Sequence, residues 1–417
     1  MKIIADLHIH SKYSRATSKE MNIPDIVHWA KLKGISLLGS GDFTHPGWLE
    51  ELKKYLKQTS DFTYEYNGVK FILTGEISNI FYRGGKNYRI HNIIFLPDFS
   101  SVERFNNILQ NYGDLVSDGR PIVSLDCIDL VEIVNSIAES SLIVPAHAWT
   151  PHFSLFGSNS GFDSIEECFG KYSRYIKSIE TGLSSDPKMN WRLSKLDSIT
   201  LISNSDAHSP QNLGREANVF DVDENKDLYS EVLQIIKTKN RKKFLYTIEF
   251  YPEEGKYHYD GHRDCKVCFS PKETKKYRGI CPVCGKKLTV GVLNRVDQLA
   301  DREEGFIPDN SIPYKNVIPL MEIIAEALNS GKGTQKTLNE YIYITTQVGN
   351  EFEVLLEFSE EKLNKKINPK VFEGILKVRS GEVDIFPGYD GEYGKISIIW
   401  DKKEEVSQSN TKQLELF

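Results

Sequence analysis

At 417 residues, 40% of them apolar and 11% aromatic, the chain is long for one compact domain and has the material for a sizeable core, which excludes a disordered chain. No uncharged apolar run approaches the roughly 20 residues of a bilayer crossing, so a membrane partner is not expected. The net charge of −6, from 52 Lys+Arg and 58 Asp+Glu, argues against a general polyanion binder.

The opening MKIIADLHIH reads as a strand, Ile3–Ile9, and not as a signal peptide, so the cytoplasm is the expected compartment. Ile23–Lys33 reads as a helix with Asn22 as N-cap and Pro24 at a tolerated early position. The apolar run Ile35–Leu38 ends in Gly39-Ser40-Gly41-Asp42, and Phe71–Leu73 leads into Thr74-Gly75-Glu76. Ile90–Leu96 is a further strand, and Leu142–Val144 runs into Pro145-Ala146-His147. Tyr175–Ile179 ends at Glu180, and Ile199–Ile202 ends in Ser203-Asn204-Ser205-Asp206-Ala207-His208. Strand–helix alternation across residues 1–240 predicts an α/β barrel or a doubly wound sheet. The chemistry-bearing residues fall at strand C-terminal ends, His91 excepted, which favours a barrel with its site at that mouth.

Past residue 240 the texture changes. Residues 237–302 carry 16 Lys/Arg against 8 Asp/Glu, a basic block inside an acidic chain that suits a polyanionic partner. Residues 241–300 are expected to form a small separate domain. Residues 301–400 read as a mixed α/β domain with a DNA-binding role, containing helix Val317–Leu328, strand Tyr341–Thr346 and a last strand Ile396–Trp400. Residues 401–417 read as a flexible tail. Gly331-Lys332-Gly333-Thr334 lacks the upstream glycine of a phosphate-binding loop.

His8 and His10 stand two apart on a strand, so both side chains share one face and can grip one ion. Asp206-Ala207-His208 repeats that geometry near the last strand. Imidazole and carboxylate donors together suit zinc, manganese or iron better than magnesium or calcium. The donors exceed the needs of one ion, so a two- or three-metal cluster is expected, with Glu76 as the bridging carboxylate. Such clusters generate hydroxide near neutral pH and clamp the oxygens of an in-line phosphoryl displacement. Phosphoester hydrolysis is the expected reaction class and amide hydrolysis its competitor.

Asp6-Leu7-His8-Ile9-His10, Gly41-Asp42, Gly75-Glu76, His91, Ala146-His147 and Ser205-Asp206-Ala207-His208 resemble, in that order, the polymerase-and-histidinol-phosphatase (PHP) family. The resemblance implies a distorted (β/α)7 barrel. It places His8, His10, Glu76 and Asp206 around one ion and Glu76, His91 and His147 around a second. His208 is implied at a third, completed by Asp42 or His45. The family's usual Asp-His after the second strand is Asp42-Phe43 here, and Arg15-Ala16 stands where a loop ligand is usual. Two or three divalent ions (zinc, manganese or magnesium) are implied, with Asp206, His208, Glu76 and a phosphate-holding Arg15 as the catalytic group. His152 and Glu180 are candidates for substrate contact.

Cys265-Lys266-Val267-Cys268, twelve residues, then Cys281-Pro282-Val283-Cys284 reads as two knuckles of a structural zinc ribbon. Between them Lys275, Tyr277 and Arg278 can meet phosphates and stack on a base. A phosphoesterase barrel joined to a basic ribbon suits a nucleic-acid phosphodiesterase. With Gly41–Pro46, Glu180–Pro187 and Leu213–Asn218, the arrangement resembles the endonuclease Q family of DNA-repair nucleases. That resemblance implies cleavage 5′ to a deaminated base (hypoxanthine, uracil, xanthine) or an abasic site. Gln413-Leu414-Glu415-Leu416-Phe417 resembles a bacterial sliding-clamp-binding motif, with Gln413, Leu414, Leu416 and Phe417 as its contacts. A nucleoid-associated protein is expected on these grounds.

Overall fold

Ile3, Ile4 and Ala5 are buried in succession because both faces of the first strand, Lys2–Asp6, are covered. The computed structural model that defines this arrangement describes residues 1–400. The expected tail and its Gln413–Phe417 motif therefore lie outside the described residues. Lys2–Asp6 pairs in parallel with Leu37–Gly39 and antiparallel with Ala217–Asp221. Leu37–Gly39 pairs in parallel with Val69–Arg83. That long strand folds back through Gly84-Gly85, both at positive φ (58° and 80°) as a tight two-residue hairpin requires, into Lys86–Leu96.

Leu142–Pro145 adds antiparallel to Lys86–Leu96 and lies beside Ser178–Glu180, which pairs in parallel with Thr200–Ile202. The circle closes where Ile9 bridges Ala207 in parallel. There the His10 N–H donates to the Ala207 carbonyl (3.0 Å) and the Leu7 N–H to Asn204 Oδ1 (2.9 Å). The result is the expected distorted barrel, with Lys86–Leu96 running against its neighbours. Ala5, Leu7, Leu37, Ile72, Ile93, Val144 and Ile202 fill one apolar cluster within it.

The helix Ile23–Lys33 starts and stops as its sequence predicts. Asn22 accepts from the Asp25 N–H, and Gly34 (φ 87°) supplies the left-handed C-cap. Two later expectations are corrected. The sheet continues past residue 240, because Phe244–Glu249 pairs with Ala217–Asp221 and with Tyr314–Asn316 from the C-terminal region. Tyr341–Thr346 is helical and not a strand, lying within Gln335–Gln347. Thr334 caps that helix, and Tyr341, Ile344 and Thr345 share its buried face at helical spacing, with Tyr341 stacked on Trp29 at 5.6 Å.

The segment from Asp260 carries a short hairpin, Asp260–His262 with Val267–Phe269, and the helix Pro271–Lys276. Its apolar cluster holds only Val267, Cys281 and Leu288 as buried members. The C-terminal region stacks helices Leu320–Ala327, Gln335–Gln347 and Pro369–Ser380 against the hairpin Val383–Phe386/Lys395–Ile398. It is locked to the barrel by a buried ion pair, Lys33 Nζ to Glu351 Oε2 at 2.9 Å. Among the described residues no helix is long and apolar enough to cross a membrane.

Candidate metal centre

Two donor sets meet at the barrel mouth and share Glu76. His8, His10, Glu76 and Asp206 form one, and Glu76, His91 and His147 the other; in each, the donor atoms lie within 4.8 Å of one another. The topology explains the meeting. Glu76 lies opposite Ile93 and Ser78 opposite His91, so Glu76 and His91 are diagonal neighbours on one face of the long hairpin, 2.7 Å apart (Oε1 to Nδ1). The next strand along ends in His147, whose Nε2 is 3.2 Å from the same Glu76 oxygen. Glu76 Oε2 faces the other set, 3.5 Å from His8 Nε2 and 3.2 Å from His10 Nε2, and Asp206 Oδ1 stands 3.0 Å from His10 Nε2.

Three of the four histidines are each aimed by a partner on the far side, while His91 turns its Nδ1 inward to Glu76. His8 Nδ1 is 3.0 Å from Glu180 Oε1, His10 Nδ1 is 2.9 Å from Asp42 Oδ1, and His147 Nδ1 is 3.1 Å from Thr150 Oγ1. This leaves Nε2 of each ring directed inward. His8 Nε2, His10 Nε2 and Asp206 Oδ1 are buried without a hydrogen-bond partner among the described residues. Orphaned nitrogens and a carboxylate oxygen converging on one point fit a divalent cation, and the mixed N/O set fits zinc or manganese.

Charge tells the same story. Burial disfavours charge on His8 and His10, yet Glu180 and Glu76 around the first, and Asp42, Asp206 and Glu76 around the second, push both well above the ordinary imidazole value. Burial would raise Glu76, but His91, Arg120, His8 and His10 hold it well below the carboxylate range, and Asp206 is lowered likewise by His10 and His8. His91 goes the other way, to about 4, because its burial outweighs Glu76. The carboxylates are thus ionised in a buried site, where cations are the natural counterweight.

Three expected participants take other positions. Asp42 is saturated: besides His10 it accepts from the Ser11 N–H (2.6 Å), the Ser11 hydroxyl (2.7 Å) and the Ser14 hydroxyl (2.9 Å), so it orients His10. His45 is the N-cap of the helix Pro46–Tyr55 and its Nε2 meets the Val116 carbonyl at 3.0 Å. The His208 ring lies tilted against the His10 ring, 4.5 Å between centroids, with Nδ1 2.9 Å from the Asp206 carbonyl. At the barrel mouth, among the described residues, no third donor set forms. Glycines make the Asp42 approach feasible: a Cβ on Gly39 would stand 2.3 Å from the Leu7 carbonyl oxygen and one on Gly41 2.3 Å from that of Ile9.

Glu180, expected at the substrate, is fully buried behind His8, also accepting from Asn204 Nδ2 and the His147 N–H. His152 is exposed, its Nε2 3.1 Å from Asn159 Nδ2, and Arg15 is an exposed rim residue paired with Asp118 at 3.4 Å. In the ribbon, Lys275 pairs with Asp297 at 2.5 Å, which also takes Arg192; Tyr277 stacks on Phe269, and Arg278 sits exposed in a turn.

The ribbon brings together His262, Cys265, Cys281 and Cys284. Cys268 stays out: it lies in strand Val267–Phe269 opposite Gly261, its Sγ 3.9 Å from the Pro387 carbonyl. The candidate donor set thus draws on His262-x2-Cys265 where the sequence pointed to Cys265-x2-Cys268. Its spacing was visible in the sequence but overshadowed by Cys265-x2-Cys268. Arg120, 3.2 Å from Glu76 Oε2, gave no sequence signal, for it stands in a loop without period.

Solved structures share this fold. The lesion-specific endonuclease PfuEndoQ from Pyrococcus furiosus superposes with a TM-score of 0.84 at 34% identity, over 95% of this chain and 96% of that one. Endonuclease Q bound to a 27-mer duplex with an abasic lesion at its active site matches with the same score and identity over 100% of both chains. The chain belongs to the endonuclease Q family. Within curated sequences it is 30% identical to the uncharacterized YqxK of Bacillus subtilis over 408 residues, 95% of this chain and 99% of that protein. It is 38% identical over 263 residues to the uncharacterized MJ0043 of Methanocaldococcus jannaschii, where the match spans 62% of this chain but only 32% of that longer protein. Residues 319–382 match the family described as the MJ0043 C-terminal domain, which places the C-terminal helices of this endonuclease Q relative in a recurring module.

Proposed function

We propose that this protein is a metal-dependent DNA endonuclease that cuts the phosphodiester 5′ to a deaminated base or an abasic site. The observation that carries the reading is the pair of donor sets joined through Glu76 at the mouth of a barrel whose fold is shared end to end with endonuclease Q. When bound, two divalent ions supply Lewis-acid activation of water and charge neutralisation for an in-line displacement at phosphorus. The chain's own residues set that chemistry up. His8, His10 and Asp206 would hold one ion and His91 and His147 the other, with Glu76 able to serve both. Glu180, Asp42 and Thr150 fix ring orientation from outside. His208, tilted against His10 and partly exposed, is within reach of a substrate at the mouth.

His262, Cys265, Cys281 and Cys284 suit a closed structural zinc site, since three buried apolar side chains are too few to hold the ribbon alone. A bacterial sliding clamp is the proposed partner of Gln413–Phe417. Deleting those five residues is expected to abolish clamp co-elution and spare oligonucleotide cleavage.

The deciding experiment incubates the protein and a divalent metal with end-labelled duplexes carrying one hypoxanthine, uracil, xanthine or abasic site, and maps the product ends. Cleavage 5′ to the lesion supports the reading. Phosphate release from free phosphomonoesters, with lesion duplexes left intact, replaces it with a small-molecule phosphatase.

A further inference from the structure

We propose that Arg120 is a substrate-binding residue that holds the scissile phosphate from beside the metal donors; this rests on the nuclease reading above. Glu76 contacts four imidazoles and one other cation, the Arg120 guanidinium, 3.2 Å from Oε2. A surface arginine that merely neutralises a carboxylate is mobile and screened. This one is carried by a strap built to hold it still.

The strap runs from Val116 to Pro121. The Val116 carbonyl is 3.0 Å from His45 Nε2, the Gly119 N–H donates to the Tyr13 carbonyl at 3.1 Å, and the Thr44 hydroxyl donates to the Gly119 carbonyl at 3.1 Å. The Ser78 N–H, two residues from Glu76, donates to the Pro121 carbonyl at 3.0 Å. Asp118, buried, accepts the Arg120 N–H at 3.1 Å and the Arg15 N–H at 3.3 Å, so one carboxylate seats both arginines. Gly119 is what lets the strap lie so close. A Cβ there would stand 2.4 Å from Asp42 Oδ2 and 2.5 Å from Ser14 Oγ. The strap thus lies over Asp42, where the sequence led us to expect a third ion.

That placement settles what Arg120 faces. The donor sets commit both Glu76 oxygens to ions, one to each side. With two dications bound, Glu76 and Asp206 would offset only part of the positive charge around the guanidinium, and the further anion the reaction brings is a phosphodiester. A guanidinium carries five N–H donors in a planar fork. Among the described residues one hydrogen bond, to Glu76, uses them, and the side chain is 23% exposed, so its remaining donors are open to the mouth. Two ions and one fixed guanidinium then stand around the phosphate in place of three ions.

The test is a cycle in binding affinity, a readout independent of turnover. Metal-loaded wild type and Arg120→Ala are each titrated with an abasic-site duplex carrying either a normal or an uncharged methylphosphonate linkage at the scissile position. The proposal expects the two changes to be coupled by about tenfold, and the salt-dependence slope of Arg120→Ala to fall by about 1. Cleavage by the variant should drop by roughly 10²–10³ at unchanged metal content. Arg120→Lys keeps one charge opposite Glu76 and should recover part of the affinity; it serves if the alanine variant is unstable. Losses that simply multiply, with an unchanged salt slope in a wild type that cuts lesion DNA, overturn the Arg120 proposal alone. A wild type that leaves lesion duplexes uncut overturns the nuclease reading and this inference with it.

Discussion

Replacing His262 with alanine should empty the ribbon's metal site, whereas replacing Cys268 with serine should leave it filled. A tetrahedral zinc with Zn–S of about 2.3 Å and Zn–N of about 2.0–2.1 Å sets its sulfur and nitrogen ligands roughly 3.6 Å apart. Cys284 Sγ and His262 Nδ1 already stand 3.9 Å apart, so closure around an ion needs a shift of a few tenths of an ångström. Cys268, held in the Val267–Phe269 strand opposite Gly261, lies outside that donor set. Structural zinc contributes about 10–16 kcal/mol in small ribbons, so each of four ligands carries roughly 3–4 kcal/mol, or two to three powers of ten in affinity. Zinc per chain after dialysis against a chelator, measured by mass spectrometry, reads the outcome. His262→Ala should lose one zinc and melt the ribbon while the barrel keeps its own ions. Zinc retained by His262→Ala and lost by Cys268→Ser would falsify this ligand set.

Three further outcomes follow from buried groups. Glu351→Ala leaves Lys33 charged and unpaired, each side chain being only 4% exposed in the native pair, and should cost about 3–5 kcal/mol in chemical denaturation; a loss below 1 kcal/mol would count against the interface. Glu180→Gln should weaken metal binding about 10–100-fold, read by titration of the metal-free protein, because Glu180 aims His8; unchanged affinity would return Glu180 to the substrate role. Glu249 is pushed up to about 8 by burial and by Asp186, against an ordinary value of 4.5, so its contribution to stability is full below about 4.5 and is lost as the pH rises through 8. Glu249→Gln should flatten the alkaline fall in unfolding midpoint between pH 5 and 9, and an equally steep fall in both proteins refutes the assignment.

What the sequence made legible was whatever repeats at a fixed spacing. His8 and His10 share a strand face, and Asn22, Pro24 and Gly34 bound their helix as local chemistry dictates. Glu76 read as the end of a short strand because Phe71–Leu73 is a short apolar run. It is mid-strand, since the Gly84-Gly85 turn extends the pairing to Arg83. Tyr341–Thr346 is rich in strand formers, but the Trp29 and Glu351 contacts reward a helical face over local preference. His45 read as a ligand by residue type, although Pro46 directly after it marks a helix start. Arg120 and Asp118 meet partners 44 and 103 residues away in sequence, and no local pattern records such contacts.

The donor sets and the carboxylate behind His10 share a backbone feature that bears on how the site is held. Asp42, His147 and Asp206 all adopt positive φ, at 44°, 29° and 47°, in the segments following three barrel strands. Each such residue costs of order 1–3 kcal/mol unless its surroundings fix it. Asp42 is fixed by Ser11, Ser14 and His10. His147 is fixed by its N–H to Glu180 Oε2 at 2.7 Å, and by Gly182, where an added Cβ would stand 2.5 Å from the His147 Cβ. The Asp206 carbonyl accepts from Arg215 and faces His208 Nδ1. Glu180 therefore serves both halves of the centre at once, aiming the His8 ring with one contact and holding the His147 backbone with another. The fold itself thus supports the strained backbone from which His147 and Asp206 reach the centre, through hydrogen bonds that lie outside the donor atoms.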